Sequence, residues 1–418
     1  MANGIRNQLR DSRMSAIHNQ EFSAASLAIS PEMQRTAIMC ACVVAFAYSS
    51  NYTNHAPLAP ALAREFGFSQ TLAGLLTTGI FATHATMQIP GGHLVDRFGA
   101  RRVLLVALLW VAIGNFGIAL ATAYWQLLAC KIFTGVGTGV CFVGGARFTH
   151  QVGAGSRLGV AQGLFGGSVQ LGAGFVILAV PRIYLWAGWR PAFIICACMA
   201  LTAAFIWLAG APNLPPSPAA PGRWREMLLS SQLWLLGLVQ MGSFGLSVVI
   251  GSWIVTVLTK AMGVPATRAG LIGSLVLLLG ILTRPLGGML RREFDIRSIF
   301  TGALLLNAVG CFALAATSIS LGIAVGAVVL LGLGCGLPYA AMFTRAGQLF
   351  PGRAGAAMGL VNMLGIVMIL AGAPLVGNLA DLTGTFRASF LFLGGFSLLI
   401  CAIVPLIHRD DATASLSR

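Results

Sequence analysis

Gln88-Ile89-Pro90-Gly91-Gly92-His93-Leu94-Val95-Asp96-Arg97-Phe98-Gly99-Ala100-Arg101-Arg102 is the stretch whose reading decides the fold. Four charges, Asp96, Arg97, Arg101 and Arg102, fall within seven residues of a chain in which only 9% of residues are charged. Long apolar runs flank the stretch on both sides. A buried turn cannot accommodate these charges, because each ion taken out of water costs several kcal/mol. An aqueous loop tying two membrane helices together can.

Hydrophobic residues make up 57% of the 418, and the mean hydropathy is +0.85. That places the chain in the polytopic membrane class. A bilayer core needs roughly 20 apolar residues per helix. The apolar runs then read as twelve spans at 36–62, 70–92, 103–123, 127–147, 158–181, 190–210, 232–259, 267–289, 298–317, 321–343, 354–380 and 386–407. The abundant glycines fit this class, since small residues let membrane helices approach closely.

The net charge of +15 has to be located before it is interpreted. With the N-terminus placed inside, eighteen of the 26 Lys and Arg lie on the inner side, six on the outer side, and Lys131 and Arg284 within spans. This is the positive-inside asymmetry, so the excess reports topology and not a nucleic-acid partner. Both termini are expected in the cytoplasm, with the chain in a bacterial inner membrane. The nine cysteines stand singly or as Cys-x-Cys in apolar runs and show no metal-ligand spacing. Residues 1–35 form a polar tail without a cleavable apolar core, expected to be disordered.

Pro212, Pro215, Pro216, Pro218 and Pro221 make a non-helical connector of residues 211–231. It divides the chain into an N-terminal six-helix bundle, 36–210, and a C-terminal one, 232–407, followed by a short tail, 408–418. The halves are repeats at an offset of 196 or 197. Arg157-x-Gly159-x-Ala161-x-Gly163-Leu164 recurs as Arg353-x-Gly355-x-Ala357-x-Gly359-Leu360, and Gly135-x-Gly137-x-Gly139 as Gly332-x-Gly334-x-Gly336. Arg190-x-x-Phe193 recurs as Arg387-x-x-Phe390. The charged loop recurs in degraded form as Gly288 to Arg297, with Arg292 where Asp96 stands and Asp295 where Gly99 stands.

Gly92-x-Leu94-x-Asp96-Arg97-x-Gly99-x-Arg101-Arg102 closely resembles the loop between helices 2 and 3 of the major facilitator superfamily of secondary transporters. The resemblance implies an all-α fold of twelve transmembrane helices in two six-helix repeats. It implies a midplane site between halves that rock against each other. It also implies a gate at Gly92, Asp96, Arg97, Gly99, Arg101 and Arg102, the acidic position meeting the positive end of helix 11 when the inside is closed. The alternative is that these charges only enforce topology.

Charges inside the hydrocarbon region are functional hypotheses by default. Arg284, in Thr283-Arg284-Pro285, is the outstanding case; the repeat offset pairs it with Gln88, and the two are expected to face each other across the pseudo-twofold axis. An Arg-Pro at this point resembles monocarboxylate, oxalate/formate and nitrate/nitrite carriers of the superfamily. The nitrate porters carry arginine in both halves, whereas this chain has Gln88 in the first. A guanidinium fork suits a carboxylate or similar oxyanion; the competing reading is an arginine that snorkels or bonds helix carbonyls.

His84 and Gln88 share a face of helix 2 with Thr77 and Phe81. Tyr48, Asn51 and His55 form a stripe on helix 1 with Tyr52 beside it, and Gln240, Ser243 and Ser247 form another on helix 7. Gln170, Tyr339 and Asn362 add single polar groups. Such residues line a wet cavity or make ordinary interhelical hydrogen bonds. His55 and His84 are the titratable candidates for proton coupling. Lys131 reads either as a coupling or gating residue or as a snorkelling anchor. None of the eleven acids falls in the middle of a span, which argues against a carrier of organic cations.

No nucleophile–base pair, phosphate loop or metal cluster emerges, so an enzyme, a cofactor and a bound metal are not expected. The reading is a monomeric carrier of a small anionic solute, with a carboxylate as the expected class, working by proton coupling or anion exchange and favouring uptake. An exporter of neutral or amphiphilic compounds is the alternative within transport. A transport-dead sensor or assembly factor is the alternative outside it.

Overall fold

The computed structural model describes residues 30–153, 158–214, 224–291, 293–316, 320–350 and 354–408. The two tails beyond these limits, the proline-rich centre of the connector, Arg157, Arg292, Arg353 and the side chain of Asp96 lie outside the described residues. The chain is an all-α membrane protein of twelve spans in two six-helix repeats. Among the described residues, ten helical stretches are long and apolar enough to cross a membrane. The first two spans are polar enough, and broken enough, to fall short of that measure.

Span 1 is α1 (Pro31–Ser49), an unwound stretch with a short 3-10 turn, and α2 (Ala59–Phe66). Span 2 is α3 (Gln70–Thr86) continued at Met87 by α4 (Gln88–Phe98). Spans 3 to 6 are α5 (Ala100–Ala119), α6 (Tyr124–Val152), α7 (Leu158–Ala187) and α8 (Arg190–Gly210). After a connector helix α9 (Trp224–Leu228), span 7 is α10 (Ser231–Gln240), a π-helical segment and α11 (Leu246–Met262). Span 8 is α12 (Ala266–Leu278) with α13 (Gly280–Leu290), and span 9 is α14 (Ile296–Leu314). Span 10 is α15 (Leu321–Gly336) with α16 (Pro338–Leu349); α17 (Ala354–Thr383) and α18 (Arg387–Ile403) complete the bundle. We call the membrane face where α1 begins and α18 ends the tail side, and the opposite face the far side.

The repeat is visible in the backbone. Gly67 and Gly263 end spans 1 and 7 at φ 68° and 65°, and Gly188 and Gly384 stand 196 residues apart at φ 79° and 70°. Left-handed backbone of this kind favours glycine. The repeated glycine triplets do the same work in each half. A β-carbon on Gly135 would strike the carbonyl of Ile80, and one on Gly332 that of Leu275, so span 4 approaches span 2 as span 10 approaches span 8.

The charged stretch is less of a loop than its composition suggests. Helix α4 runs through it to Phe98, and the turn is Gly99 alone, at φ 80° and ψ 149°. Arg101 then donates from Nη2 to the carbonyl of Leu208 at 2.7 Å, and Trp207 donates back to the carbonyl of Arg101 at 3.0 Å. Helix C-termini leave carbonyls unsatisfied and favour cations, which accounts for the arginine. The degraded copy keeps this staple, since Arg297, the counterpart of Arg101, donates to the carbonyl of Ile407 at 2.6 Å. It loses the turn: Asp295, in the place of Gly99, has φ −60°.

The far side is closed between the halves. Asp381, near the end of α17, accepts from the backbone N–H of Gln70 and Thr71 and from the Thr71 hydroxyl at 3.1, 2.8 and 2.6 Å. Thr78 donates to the carbonyl of Leu370 at 3.0 Å.

Candidate functional site

The break in span 1 has a local cause. Ser50 and Asn51 turn their side chains back onto the carbonyls of Phe46 and Ala47, at 2.7 and 3.0 Å, competing with the next helical turn. Pro57 and Pro60 follow and deny the helix two donors. Unwound backbone at membrane depth survives only inside protein or against a water-filled cavity. Here it is buried and held from three sides. Thr53 donates to Ala173 of α7 at 2.9 Å, and Asn54 to Asn115 of α5 at 3.2 Å. Lys131 of α6 donates to the carbonyl of Asn51 at 2.9 Å and to Oδ1 of Asn54 at 2.5 Å, under the ring of Phe193. Lys131 is 1% exposed. It does not snorkel; two oxygens of the unwound stretch hold its ammonium in the interior.

The expected helical stripe of Tyr48, Asn51 and His55 does not form, because α1 ends at Ser49. His55 instead opens a chain that crosses the halves. Its Nε2 lies 3.0 Å from Oγ1 of Thr77, which donates to Ser252 at 3.2 Å, which donates to the carbonyl of Val248 at 2.9 Å. The chain ties spans 1, 2 and 7 together below the far-side closure.

Arg284 sits deeper toward the tail side, 3% exposed. Its guanidinium lies 4.0 Å over the ring of Tyr339, and Nη1 donates to the carbonyl of Gly166 in the other half at 2.7 Å. It therefore reaches span 5 and not Gln88. One turn along, the amide of Gln170 packs on Gly280, so spans 5 and 8 meet at two successive rungs. Tyr48 and Tyr52 lie near it, their rings 5.9 Å apart. Tyr52 meets Phe81 at 4.7 Å and His84 at 5.4 Å. His84 has Nδ1 3.1 Å from Oγ1 of Thr138, and Gln88 donates to the carbonyl of His84 at 3.2 Å.

What marks this shell is what its members lack. Arg284 Nε, His84 Nε2 and Gln88 Oε1 are buried without a hydrogen-bond partner among the described residues, and the hydroxyls of Tyr48 and Tyr52 have none beyond one another. Each such group costs about 1–3 kcal/mol unless something satisfies it. Four of these groups belong to spans 1 and 2 and one to span 8, and buried polar groups left this way call for an explanation.

Of the residues picked out by sequence, Arg284, Tyr339, Tyr48, His84, Gln88 and Gln170 come together here. Asn51, His55 and Lys131 form the second cluster around the broken span. Gln240 and Asn362 are a separate pair within the second half, bonded at 3.2 Å, each with one orphaned amide atom. Ser243 donates to the carbonyl of Cys335 at 2.6 Å, within the π-helical segment. Tyr52, which the sequence sets beside a stripe, is at the centre of the shell. Phe81, Phe142, Thr138, Asn54 and Asn115 complete the two clusters; no pattern along the chain singles out these residues as a group. On the far side a recess of about 630 Å³ between the halves is lined by Pro57, Arg64, Gln70, Tyr184, Thr259 and Lys260, among others.

Comparison with known proteins identifies the family. The sequence profile of the Major Facilitator Superfamily matches residues 41–364 and 236–417. A probable sulfoacetate transporter of Cupriavidus necator is 25% identical, covering 88% of this chain and 94% of its own. A probable nitrate/nitrite antiporter of Thermus thermophilus is 26% identical, covering 79% and 82%. A probable nitrate/nitrite transporter of Mycobacterium tuberculosis is 27% identical, covering 87% and 93%. Among solved structures, a bacterial homologue of the human lysosomal transporter Spinster superposes with a TM-score of 0.74 at 17% identity, covering 90% and 97%. That likeness concerns the fold.

Proposed function

The chain belongs to the Major Facilitator Superfamily, and we propose that it is a secondary transporter moving a small oxyanion, a carboxylate or sulfonate, across the bacterial plasma membrane by alternating access. The observation that carries this is Arg284: a buried guanidinium over Tyr339, with Nε unpaired. An unpaired cation inside a membrane protein costs several kcal/mol, which an anion placed against its free edge offsets. The relatives named above are probable transporters of sulfoacetate, nitrate or nitrite, and the substrate class is taken from that agreement. The single arginine, against two in nitrate porters, favours a carboxylate or sulfonate over nitrate.

In this reading the tail side is cytoplasmic, the N-terminal bundle of residues 36–210 and the C-terminal bundle of 232–407 rock about the shell, and one chain suffices. The stretch from Gly92 to Arg102 gates the cytoplasmic side and the Asp381 contact the outer side. Uptake is the direction proposed, with Arg64 and Lys260 drawing anions into the outer recess.

A second reading has one observation in its favour: Nη1 of Arg284 already bonds the carbonyl of Gly166, as a purely structural arginine would. The carrier would then export neutral or amphiphilic compounds. A thermal-shift screen of the purified protein with sulfoacetate, oxalate and nitrate, beside Arg284→Gln, separates the two. A ligand at a hundred times its dissociation constant adds about 2.7 kcal/mol to stability. Stabilisation of the parent and not of the variant is expected. Equal stabilisation of both by anions, or stabilisation by neutral compounds alone, overturns the anion reading.

A further inference from the structure

We propose that the far-side recess is a second anion site, separate from the Arg284 shell, which takes a small organic dianion between Arg64 and Lys260 and so holds the far side closed. The ligand need not be the transported solute, and the site stands or falls independently of the anion reading of Arg284.

Arg64 and Lys260 are 196 residues apart, the offset of the repeat. Each stands three residues before the left-handed glycine that ends its span, Gly67 at φ 68° and Gly263 at φ 65°. They are therefore the same position in the two halves. Both line one recess of about 630 Å³, and so do Phe68 and Val264, a second pair 196 apart. A cation from each half thus converges on one cleft where the halves meet.

Nothing negative balances that pair. Among the described residues that line the recess none is acidic. The acids of the far side are Glu65 and Asp381, and both are engaged elsewhere. Glu65, although next to Arg64 in the chain, accepts from Trp189 Nε1 at 2.5 Å and lies 3.5 Å from Arg190. Asp381 turns one oxygen to the N–H of Gln70 and the other to the N–H and hydroxyl of Thr71. Gln70 also leaves its side-chain oxygen buried without a partner at the recess, a place for ordered water between a ligand and α3.

The arrangement belongs to one state of the carrier. Arg64, Phe68 and Gln70 come from the first half, Thr259, Lys260 and Val264 from the second, and they share a recess because the far side is shut. Opening the far side separates the halves and the two cations with them. Closing it brings two like charges into a cleft with apolar walls, which focus the field. A dianion turns that repulsion into two attractions. It binds the closed far side better than the open one, and a ligand with such a preference shifts the population toward the state it prefers.

The recess has the volume of a small-molecule site. Two cations on opposite walls suit a ligand with an acidic group at each end, a dicarboxylate or a sulfocarboxylate, over a monoanion that meets one wall at a time. Both cations are exposed, so binding is expected in the millimolar range and to weaken with salt. A dianion outside the far face then slows the return of the carrier to the far-side-open state, which makes the recess a brake.

The test uses full-length protein in phosphatidylcholine nanodiscs, where no anionic headgroup competes, with spin labels at the exposed far-side positions Ala123 and Thr385. It is run on the parent and on Asp381→Ala, whose lost cap leaves more of the far side open. Sulfoacetate, doubly charged, and methanesulfonate, singly charged, are the probes, at matched ionic strength. At ten times its dissociation constant sulfoacetate is expected to raise the ratio of closed to open far side about tenfold, and methanesulfonate at the same concentrations to leave it unmoved. The response should persist in Arg284→Gln, which keeps the recess and removes the central guanidinium. Arg64→Gln and Lys260→Gln should each raise the closed population without ligand, because the repulsion is gone, and each lose the response to sulfoacetate. A merely structural role for either side chain predicts the opposite, a less closed far side. Equal responses to the two probes, a response that survives in either glutamine variant, or no response in both the parent and Asp381→Ala overturns the recess site. A response lost in Arg284→Gln alone also overturns it, and assigns the effect to the central shell, leaving the anion reading of Arg284 in place.

Discussion

Replacing Asp381 with alanine should open the far side. The carboxylate belongs to span 11, yet it caps span 2, accepting from the N–H groups of Gln70 and Thr71 and from the Thr71 hydroxyl. Those N–H groups stand at the start of α3, where no helical carbonyl can reach them. The contact joins the halves, so it exists only while the far side is shut. A carboxylate at such a helix end contributes roughly 0.3–1 kcal/mol through the dipole, and a capping side chain about 1 kcal/mol. Asp381 is exposed, so the lower part of the range for charge-assisted bonds applies. Its loss should then shift the equilibrium toward the far-side-open state by about 1–2 kcal/mol, or roughly 5–30-fold. Asp381→Asn, which keeps one acceptor and loses the charge, should shift it by less. Spin labels at the exposed far-side positions Ala123 and Thr385, one in each half, report the separation by pulsed electron resonance. The long-distance population should grow in Asp381→Ala and grow less in Asp381→Asn. An identical distance distribution in parent and alanine variant would refute the reasoning, because it would mean the cap does not bias the cycle.

Two further substitutions test the supports of the site. Lys131→Met leaves the Asn51 carbonyl and Asn54 Oδ1 without their donor, and should lower stability by about 1–3 kcal/mol in a thermal melt; a melting temperature equal to or above the parent's would show that the buried charge costs more than its bonds return. Gly332→Val sets a side chain against the Leu275 carbonyl, whereas a β-carbon on Gly326 in the same helix meets open space. The first should destabilise the fold by about 1–3 kcal/mol through overpacking and the second should be close to neutral, so equal melting temperatures for the two would contradict the repeat-based account of spans 8 and 10.

Much of the fold was legible because the repeat writes the same instruction twice. Gly135 and Gly332, Gly67 and Gly263, and Arg101 and Arg297 each occupy matched places and do matched work. The candidate site was legible in Arg284 and in single polar residues of the apolar runs, such as Tyr48 and Tyr339. Arg284 stands out along the chain since a cation in an apolar run is costly to bury. The broken first span was not visible, because apolar run length cannot distinguish a helix from an unwound segment that Lys131 and Asn115 hold from other spans. The stripe of Tyr48, Asn51 and His55 assumed a helix that Ser50 and Asn51 end by bonding backward. Tyr52 and Thr138 matter through what they touch across spans 2 and 4, and no periodicity within one helix encodes that.

The two halves, alike in backbone, have come to differ in chemistry, and the difference bears on the anion reading. The first half supplies lone pairs and hydroxyls: His84, Gln88, Tyr48 and Tyr52. The second supplies the cation, and at the place matching His84 it has Gly280, against which Gln170 packs. A symmetric pair of arginines would hold an anion by charge alone, with two positive centres to balance whenever the shell is empty. One arginine opposite hydroxyl, amide and imidazole groups leaves a single positive centre to balance when the shell is empty. A carrier built this way would cross back unloaded with less uncompensated charge than a two-arginine carrier.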